Sequence, residues 1–435
     1  MKERNDHREE RQDGASKLRF LGCLGPQREL TTNSSRNDHA VPVVARACGV
    51  VAVLALCLAL AGNAKSQQSE VVAHEWGTFT SIAGNAGTAV QWYPWTVPSD
   101  LPQFIEEFRA RNFKPNLFGT IRMETPVLYF YSPRETEVFV HVRFSKGLIT
   151  EWYPHVTRYT PSSTLKNAAL LNGDLEDGSL TWERVAIRPG DQSPLAHETN
   201  GSRYYAARAT ASAPLRVASP NGAQNEKFLF YRGVSREDSP IAALALGNGD
   251  LQVENPSGLP VAMLMVFDRR DGKAGFRSVK NVEAATLPTP ALNGTVEAAS
   301  EEMLGALMNE GLYPDEARAM LETWKDAWFE EGTRLLYIVP RPFVDRVLPL
   351  TITPAPATVT RVFVGRLEVV SPRTQTAIEN ALATGDEPML AKYKRFLRPI
   401  LEILAQREAD PVKAGLIRRR MEQPYAPLLA QDAPN

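Results

Sequence analysis

Cysteine is missing from most of this 435-residue chain, whose three cysteines are Cys23, Cys48 and Cys57. The thiol-free remainder excludes disulfide bonds, thiol catalysis and cysteine ligation of a metal beyond residue 57. An excess of one charge is missing too, because 49 basic and 50 acidic residues give a formal net charge of −1. That balance provides no basic footprint for nucleic acid, so no nucleic-acid partner is expected.

Familiar catalytic motifs are also missing. The chain contains no Gly-x-Ser-x-Gly nucleophile elbow, no phosphate-binding Gly-x-x-x-x-Gly-Lys-Ser/Thr loop, no dinucleotide fingerprint and no His-Glu-x-x-His pair. From sequence alone, whether the protein is an enzyme therefore stays open.

An apolar run at residues 47–61 indicates export. It is about 15 residues long, shorter than the roughly 20 that a membrane-spanning helix needs. Arg46 precedes the run and Ala64 follows it in a small-residue context, which is typical of a secretory signal. We expect a disordered leader extension at residues 1–40 and a signal peptide at 41–64. The mature chain would then be periplasmic or extracellular, without a transmembrane segment. The alternative is an uncleaved N-terminal segment that anchors the protein to the inner membrane.

The fold is expected to be a β-rich α+β fold. Short apolar runs separated by Asn-Gly and Asp-Gly pairs favour a mainly antiparallel, sandwich-like region at residues 65–286. One such run places Val138, Val140, Val142 and Phe144 on a single strand face. A mixed helical and strand region is expected at residues 287–435.

Several helices are predicted from caps and apolar spacing. Asp100 is the expected N-cap of a helix over residues 101–111. Ser300 and Pro314 are expected to begin two further helices, since proline is harmless at the first helical position. A longer helix over residues 389–406 should be kinked or divided at Pro399.

Histidines with nearby glutamates are the candidate chemical residues. His74, His155 and His197 are candidate zinc ligands, since histidine and carboxylate are the usual ligands of a catalytic zinc. Glu75 and Glu151 are the candidate catalytic carboxylates if the protein is an enzyme. Ordinary surface or hydrogen-bonded histidines are the other interpretation, in which case no cofactor is needed.

Tryptophans provide a second set of candidates. Trp76, Trp92, Trp95 and Trp152 are candidate ligand-binding residues, because exposed indoles are good platforms for sugar faces and peptides. Aromatic residues in strands are also typical of a core. Under that interpretation Trp76 fills the interior and Gly77 allows a close backbone approach.

Three stretches resemble blocks from large, uncharacterised exported proteins of environmental bacteria. They are His-Glu-Trp-Gly-Thr-Phe-Thr at residues 74–80, Met-Glu-Thr-Pro-Val-Leu-Tyr-Phe-Tyr at 123–131 and Arg-Val-Phe-Val-Gly-Arg-Leu-Glu at 361–368. The resemblance implies export and a single integrated architecture. It brings no assigned activity and no catalytic residues.

The sequence thus favours an exported, non-catalytic protein that binds a ligand or partner through an aromatic surface. A glycan or another envelope component is the expected partner class. The alternative is a secreted hydrolase that depends either on zinc held by histidine and glutamate or on a pair of carboxylates.

Overall fold

The computed structural model of the protein describes residues 70–93, 101–108, 117–160, 177–199 and 201–422. These residues form strands along most of the chain and helices mainly in its C-terminal part. In chain order the described strands are β1 (Val72–Ala83), β2 (Glu106–Glu107), β3 (Ile121–Tyr131), β4 (Thr136–Phe144), β5 (Gly147–Tyr153), β6 (Arg158–Thr160), β7 (Gly178–Ile187), β8 (Leu215–Ser219), β9 (Gly222–Glu226), β10 (Leu229–Ser235), β11 (Ala242–Ala245), β12 (Leu251–Glu254), β13 (Leu264–Arg270), β14 (Lys273–Val279), β15 (Ala284–Leu287), β16 (Gly332–Ile338), β17 (Leu350–Thr353) and β18 (Thr358–Val369).

The described helices lie on the C-terminal side of most of the strands. They are α1 (Val296–Asn309), α2 (Pro314–Trp328), α3 (Arg341–Val347), α4 (Pro372–Thr384), α5 (Glu387–Ala391), α6 (Leu397–Arg407) and α7 (Pro411–Glu422), with 3₁₀ segments at Arg203–Arg208 and Lys394–Phe396. No helix among the described residues is long and apolar enough to cross a membrane. The described ranges also contain no cysteine.

A nine-stranded sheet organises the fold, in the order β14-β13-β16-β18-β1-β3-β10-β5-β2. Its β1–β18 pair is parallel, with Val72 opposite Thr358. The other pairs in this sheet are antiparallel. Strands β16 and β18 follow residue 287 in the sequence, yet they lie inside this sheet, with β18 beside β1 and β16 beside β18. The change in sequence character at residue 287 is therefore not a boundary between sheets.

Two smaller sheets cover one face of the nine-stranded sheet. One has the order β17-β4-β7-β8-β9, with β6 paired to β7, and the other has the order β11-β12-β15. Apolar residues of all three sheets share a single core. Val138, Val140, Val142 and Phe144 are at most 2% exposed, which confirms the predicted inward face of β4. The β-rich α+β fold class is confirmed, and the sheet layers also include β16, β17 and β18 from the C-terminal region.

Helices cover the opposite face of the nine-stranded sheet. Helices α1 and α2 and the Arg203–Arg208 segment share a second core with Trp76 and Tyr129. Helices α4, α5, α6 and α7 form a third core, which includes Ile82 of β1. Both faces of β1 are therefore covered, and eleven of its twelve residues are buried.

Three helix predictions differ from the structure. Residues 101–108 contain no helix and include β2, whose Glu106 pairs with Trp152 of β5. Helix α1 begins at Val296 with Thr295 as its N-cap, earlier than the start predicted at Ser300. The C-terminal helical region divides before Pro399, at the Lys394–Phe396 segment. Pro399 itself lies in the first turn of α6, where its missing N–H has no helical acceptor to lose.

Candidate functional site

Strand β1 separates the adjacent candidates His74 and Glu75, because successive side chains of a strand point to opposite faces of its sheet. His74 faces the helices and contacts Glu316 of α2. Glu75 faces the core shared by the three sheets, where it meets Tyr231 of β10. Both side chains are buried, with His74 3% exposed and Glu75 0% exposed. The two residues therefore belong to separate sites.

On the helix side, the carboxylate of Glu316 has three hydrogen-bond partners among the described residues. His74 Nδ1 lies 2.8 Å from Glu316 Oε2, and the Tyr313 backbone N–H donates to the same oxygen at 2.8 Å. The Tyr131 hydroxyl donates to Oε1 at 2.8 Å. Glu316 is in the first turn of α2, where the positive end of the helix dipole stabilises a carboxylate. The side chains of His74, Tyr131, Tyr313 and Glu316 are called the tyrosine site below.

Three rings of the tyrosine site pack against one another. The Tyr131 and Tyr313 ring centroids lie 5.0 Å apart with an interplanar angle of 81°. The His74 ring lies 4.4 Å from the Tyr313 ring and 5.5 Å from the Tyr131 ring. Tyr313 is 41% exposed and Tyr131 is half-buried. The site therefore presents two tyrosine rings to the surface, while its histidine and carboxylate lie beneath them.

A surface groove adjoins the tyrosine site through Tyr131. It encloses about 350 Å³, within the range of ligand pockets. Its lining comes from the start of β1, the turn after β3 and two further loops: Glu70, Val72, Tyr131, Ser132, Pro133, Pro189, Gly190, Ala211, Ser212, Ala213 and Pro214. The backbone N–H of Ala211 also donates to Asp315 at 2.5 Å. This bond links the groove wall to the first turn of α2.

Electrostatics fix the direction of the Tyr131 hydrogen bond. Burial raises the pKa of Tyr131, and the carboxylate of Glu316 raises it further. The hydroxyl therefore stays protonated at physiological pH and donates to Glu316. With its second oxygen occupied by His74, this carboxylate can orient an imidazole and hold a tyrosine in one position.

On the sheet side, Glu75 is part of a buried ion pair. Arg361 Nε donates to Glu75 Oε2 at 2.5 Å, and the Tyr231 hydroxyl donates to Oε1. Arg361 Nη1 also donates to Asp345 of α3 at 2.8 Å. Burial raises the pKa of Glu75, and the Arg361 guanidinium offsets only part of that effect. This arrangement joins β1, β10, β18 and α3.

The predicted pairing of Glu75 with Glu151 is wrong. The two residues lie on β1 and β5, which β3 and β10 separate in the sheet. Three strand spacings amount to about 14 Å, whereas a glycosidase needs its carboxylates roughly 5–10 Å apart. Glu151 is 3% exposed and accepts a hydrogen bond from the Thr150 hydroxyl. These carboxylates have separate partners and cannot act on one bond.

The three candidate zinc ligands are also dispersed. His74 bonds to Glu316, His155 Nδ1 lies 2.9 Å from Glu106, and the exposed His197 packs its ring 4.6 Å from Tyr205. Within the described ranges no group of three or more His, Cys, Asp or Glu side chains could hold a metal ion. The structure therefore does not form the zinc site predicted from these histidines.

The predicted tryptophan platform is not formed. Trp76 and Trp92 are 0% exposed, and Trp152 is 7% exposed. Trp92 stacks on Phe396 with centroids 5.4 Å apart, and Trp152 stacks on Tyr159 at 4.6 Å. Trp95 lies outside the described residues. The described members of the set fill interior positions, because other parts of the chain cover them.

Sequence reasoning misses three of the four members of the tyrosine site. Tyr131 ends the 123–131 block, whose pattern predicts only a strand. Glu316 suits the helix dipole, and Tyr313 directly precedes the predicted helix start at Pro314. A hydrogen bond between residues 242 positions apart has no signal in a single sequence. A sequence feature that does point to the site is Tyr313, an aromatic residue directly before the predicted helix start.

Comparisons with known proteins assign no family to the chain. No family model matches it, and no curated protein matches it. Among solved structures, the chain is similar to the Fcho1 Mu homology domain of Danio rerio with bound Eps15 peptide. The TM-score is 0.27 and the identity 8%, over 69% of this chain and 97% of that chain. At that TM-score the likeness carries no argument about fold or function.

Proposed function

We propose that the protein is an exported, non-catalytic binding protein and that the tyrosine site with its groove is the surface it uses. The observation that carries this proposal is the pair of tyrosine rings at 81°, both exposed in part, one of which, Tyr131, lines a groove of about 350 Å³. Tyrosine supplies a large contact area at a low cost in conformational entropy. The hydrogen bond from Tyr131 to Glu316 lowers that cost further, because it fixes the ring before a ligand arrives.

The proposed surface is aromatic, as the sequence suggests, but it consists of tyrosines. The glycan expectation rests on exposed indoles, and the burial of Trp76, Trp92 and Trp152 removes that support. The groove volume suits a small molecule or the exposed end group of a larger envelope component.

Export is the second part of the proposal. The apolar run at residues 47–61, with Arg46 before it and Ala64 after it, supports a cleaved signal. So does the resemblance of three blocks to exported bacterial proteins. N-terminal sequencing of the protein from the native host should give Lys65 as the first residue. An intact N-terminus in the soluble cytosolic fraction would reject export.

Binding is tested with a panel of envelope fragments and small metabolites, screened by thermal shift and confirmed by calorimetry. The wild type is compared with Tyr313→Ala, which removes an exposed ring, and with Val412→Ala, which removes an exposed apolar side chain on α7. We expect at least one ligand whose affinity falls about tenfold in Tyr313→Ala and is unchanged in Val412→Ala. If every ligand found binds Tyr313→Ala as tightly as the wild type, this surface is rejected.

A hydrolase is the second candidate, and the bond between His74 and Glu316 favours it. A carboxylate on Nδ1 holds an imidazole in one orientation, which is how an acid–base histidine is commonly positioned. Purified protein would be assayed against ester, amide and glycoside substrates. Turnover that His74→Gln abolishes in a folded variant would replace the binding proposal, and no turnover would remove the hydrolase.

A further inference from the structure

Glu316 differs from other buried carboxylates in its partners. Several buried carboxylates of the described chain are neutralised by arginine: Glu75 by Arg361, Glu124 by Arg395, Glu226 by Arg208, Asp268 by Arg270 and Glu368 by Arg334. Glu316 is 0% exposed, and among the described residues its ion-pair partner is His74 rather than an arginine or lysine. A buried carboxylate without a permanent cation is costly in a protein interior. The tyrosine site therefore contains a buried carboxylate that no arginine or lysine of the described chain pairs with.

The groove lining has the same sign of charge. Among the described residues that line it, Glu70 is the one charged side chain. Its partner Arg134 lies 3.4 Å away, with both side chains more than half exposed, so that pair is weak and open to competition. The groove therefore favours positive over negative ligands.

Lys227 is a further cation near the site, besides Arg134. Lys227 interacts with Asp315 at the start of α2, and burial lowers its pKa. Its ammonium donates to the Thr210 carbonyl and its side chain is half-buried. Lys227 offsets Asp315, whereas the ion-pair partners of Glu316 and Glu70 among the described residues are His74 and Arg134. Glu70 and Glu316 are therefore the acidic side chains of the groove and the site, and their partners are the exposed Arg134 and the buried His74, respectively.

The geometry of the two tyrosine rings gives a second, independent reason to expect a cationic ligand. Tyr131 and Tyr313 meet nearly at right angles, with centroids 5.0 Å apart, so together they form two walls of a corner. The face of an aromatic ring carries partial negative charge and attracts cations, above all alkylated ammonium groups. Hydrogen bonding to Glu316 adds electron density to the Tyr131 ring, because the carboxylate polarises the hydroxyl.

We propose that the tyrosine site and its groove bind a small ligand through an alkylated ammonium group, which rests against the two tyrosine rings with Glu70 and Glu316 supplying negative charge. This inference rests on the proposed function and narrows it to one ligand chemistry.

The test uses choline and its neutral analogue 3,3-dimethylbutan-1-ol, in which carbon replaces the nitrogen at the same shape. Both are titrated into the wild-type protein by calorimetry at low and moderate salt. We expect choline to bind about tenfold more tightly than the neutral analogue. That difference should shrink as salt rises, since Glu70 is solvent-exposed.

Single substitutions separate the contribution of the Tyr313 ring to choline binding from that of the Glu70 charge. Tyr313→Ala should weaken choline about tenfold, and Tyr313→Phe should retain binding because the ring face remains. Glu70→Gln should weaken choline several-fold, while Glu310→Gln, an exposed carboxylate outside the groove lining, should leave it unchanged. The substitutions are made at Glu70 and Tyr313 because both side chains are exposed. The test therefore does not depend on a substitution of the buried Glu316.

The outcomes are distinguishable. Equal affinity for choline and its neutral analogue would overturn the cationic ligand and leave the proposed binding surface standing. Choline binding that Tyr313→Ala and Glu70→Gln do not change would overturn the inference as well. Absence of choline binding, with a neutral ligand found on the same surface, would also overturn it. Absence of any ligand at this surface would reject both the inference and the proposed function.

Discussion

His74 and Glu75 are neighbours in sequence, yet each anchors a different layer of the protein to β1. His74 bonds to Glu316 of α2 on the helical side, and Glu75 pairs with Arg361 of β18 on the side of the smaller sheets. Because side chains alternate between the two faces of a strand, these adjacent residues bond to partners on opposite sides of the sheet, 242 and 286 positions away in the sequence. Strand β1 thereby fixes the tyrosine site and a core ion pair at once.

Removal of the His74 ring should destabilise the protein. His74→Ala leaves one oxygen of the buried Glu316 without its imidazole partner, which costs about 1–3 kcal/mol. Urea unfolding monitored by circular dichroism measures the free energy of unfolding. His197→Ala is the matched control, because His197 is exposed and should change stability by less than about 0.5 kcal/mol. Equal effects of the two substitutions would show that the His74–Glu316 bond contributes nothing.

Removing one partner of the Glu75–Arg361 pair should destabilise the protein more than replacing both partners by uncharged side chains. Arg361→Met leaves Glu75 buried without its guanidinium, and we expect a loss of about 3–5 kcal/mol in the free energy of unfolding. The double variant Glu75→Gln/Arg361→Met removes both charges and should regain much of that loss. A double variant as unstable as the sum of its two single variants would contradict a paired interaction.

Glu124 should make stability fall in acid. Burial alone would raise its pKa, but Arg395 and Arg122 outweigh burial and lower the pKa from 4.5 to about 2. Because the folded pKa is depressed, the contribution to stability is present above pH 4.5 and is lost as pH falls toward 2. It is on the order of 3 kcal/mol.

Unfolding of the wild type and Glu124→Gln at pH 6 and pH 3 checks this sign. The wild type should lose more stability than the variant over that interval. Glu183→Gln, whose carboxylate pairs with Arg158 at the exposed surface, should behave like the wild type. Parallel pH profiles of the wild type and Glu124→Gln would disprove a depressed pKa at Glu124.

Gly77 should tolerate no side chain. A Cβ there would lie 2.8 Å from the Phe363 ring and 3.1 Å from the Pro126 backbone, so Gly77→Ala should cost about 1–3 kcal/mol through overpacking. A Cβ on Gly305 in α1 would have nothing within 4 Å, and Gly305→Ala should stabilise the protein by about 0.5–1 kcal/mol. Thermal melts of both variants decide the comparison, and a Gly77→Ala protein as stable as the wild type would contradict the close approach.

Local patterns in the sequence predict much of the fold. The alternating face of β4 and the proline start of α2 are confirmed, because each depends largely on residues near in sequence. The close approach at Gly77 is confirmed too, although the residues it meets, Pro126 and Phe363, lie far from it in the sequence. The helix expected at residues 101–111 is wrong over its described part, since Glu106 instead bonds to the Trp152 indole at 3.0 Å and forms β2 on the edge of the sheet. Tertiary pairing there overrides a local helical pattern.

Less of the candidate site than of the fold can be predicted from the sequence. His74 and Glu75 stand out as unusual residues, but their partners Glu316 and Arg361 lie more than 240 residues away. The prediction that the tryptophans form an exposed platform fails, because burial depends on whether both faces of a sheet are covered. In this fold, the parallel pairing of β1 with β18 and the helices packed over these strands determine that both faces are covered. Neither contact can be read from a single sequence.

The central claim is that the tyrosine site binds a ligand while Glu316 and His74 hold its rings in place. The most direct measurement is a calorimetric titration of the first ligand found for the wild type into Tyr313→Ala, with Val412→Ala alongside. We predict about a tenfold loss of affinity in Tyr313→Ala and none in Val412→Ala, with both proteins fully folded. Wild-type affinity in the folded Tyr313→Ala protein would contradict the account.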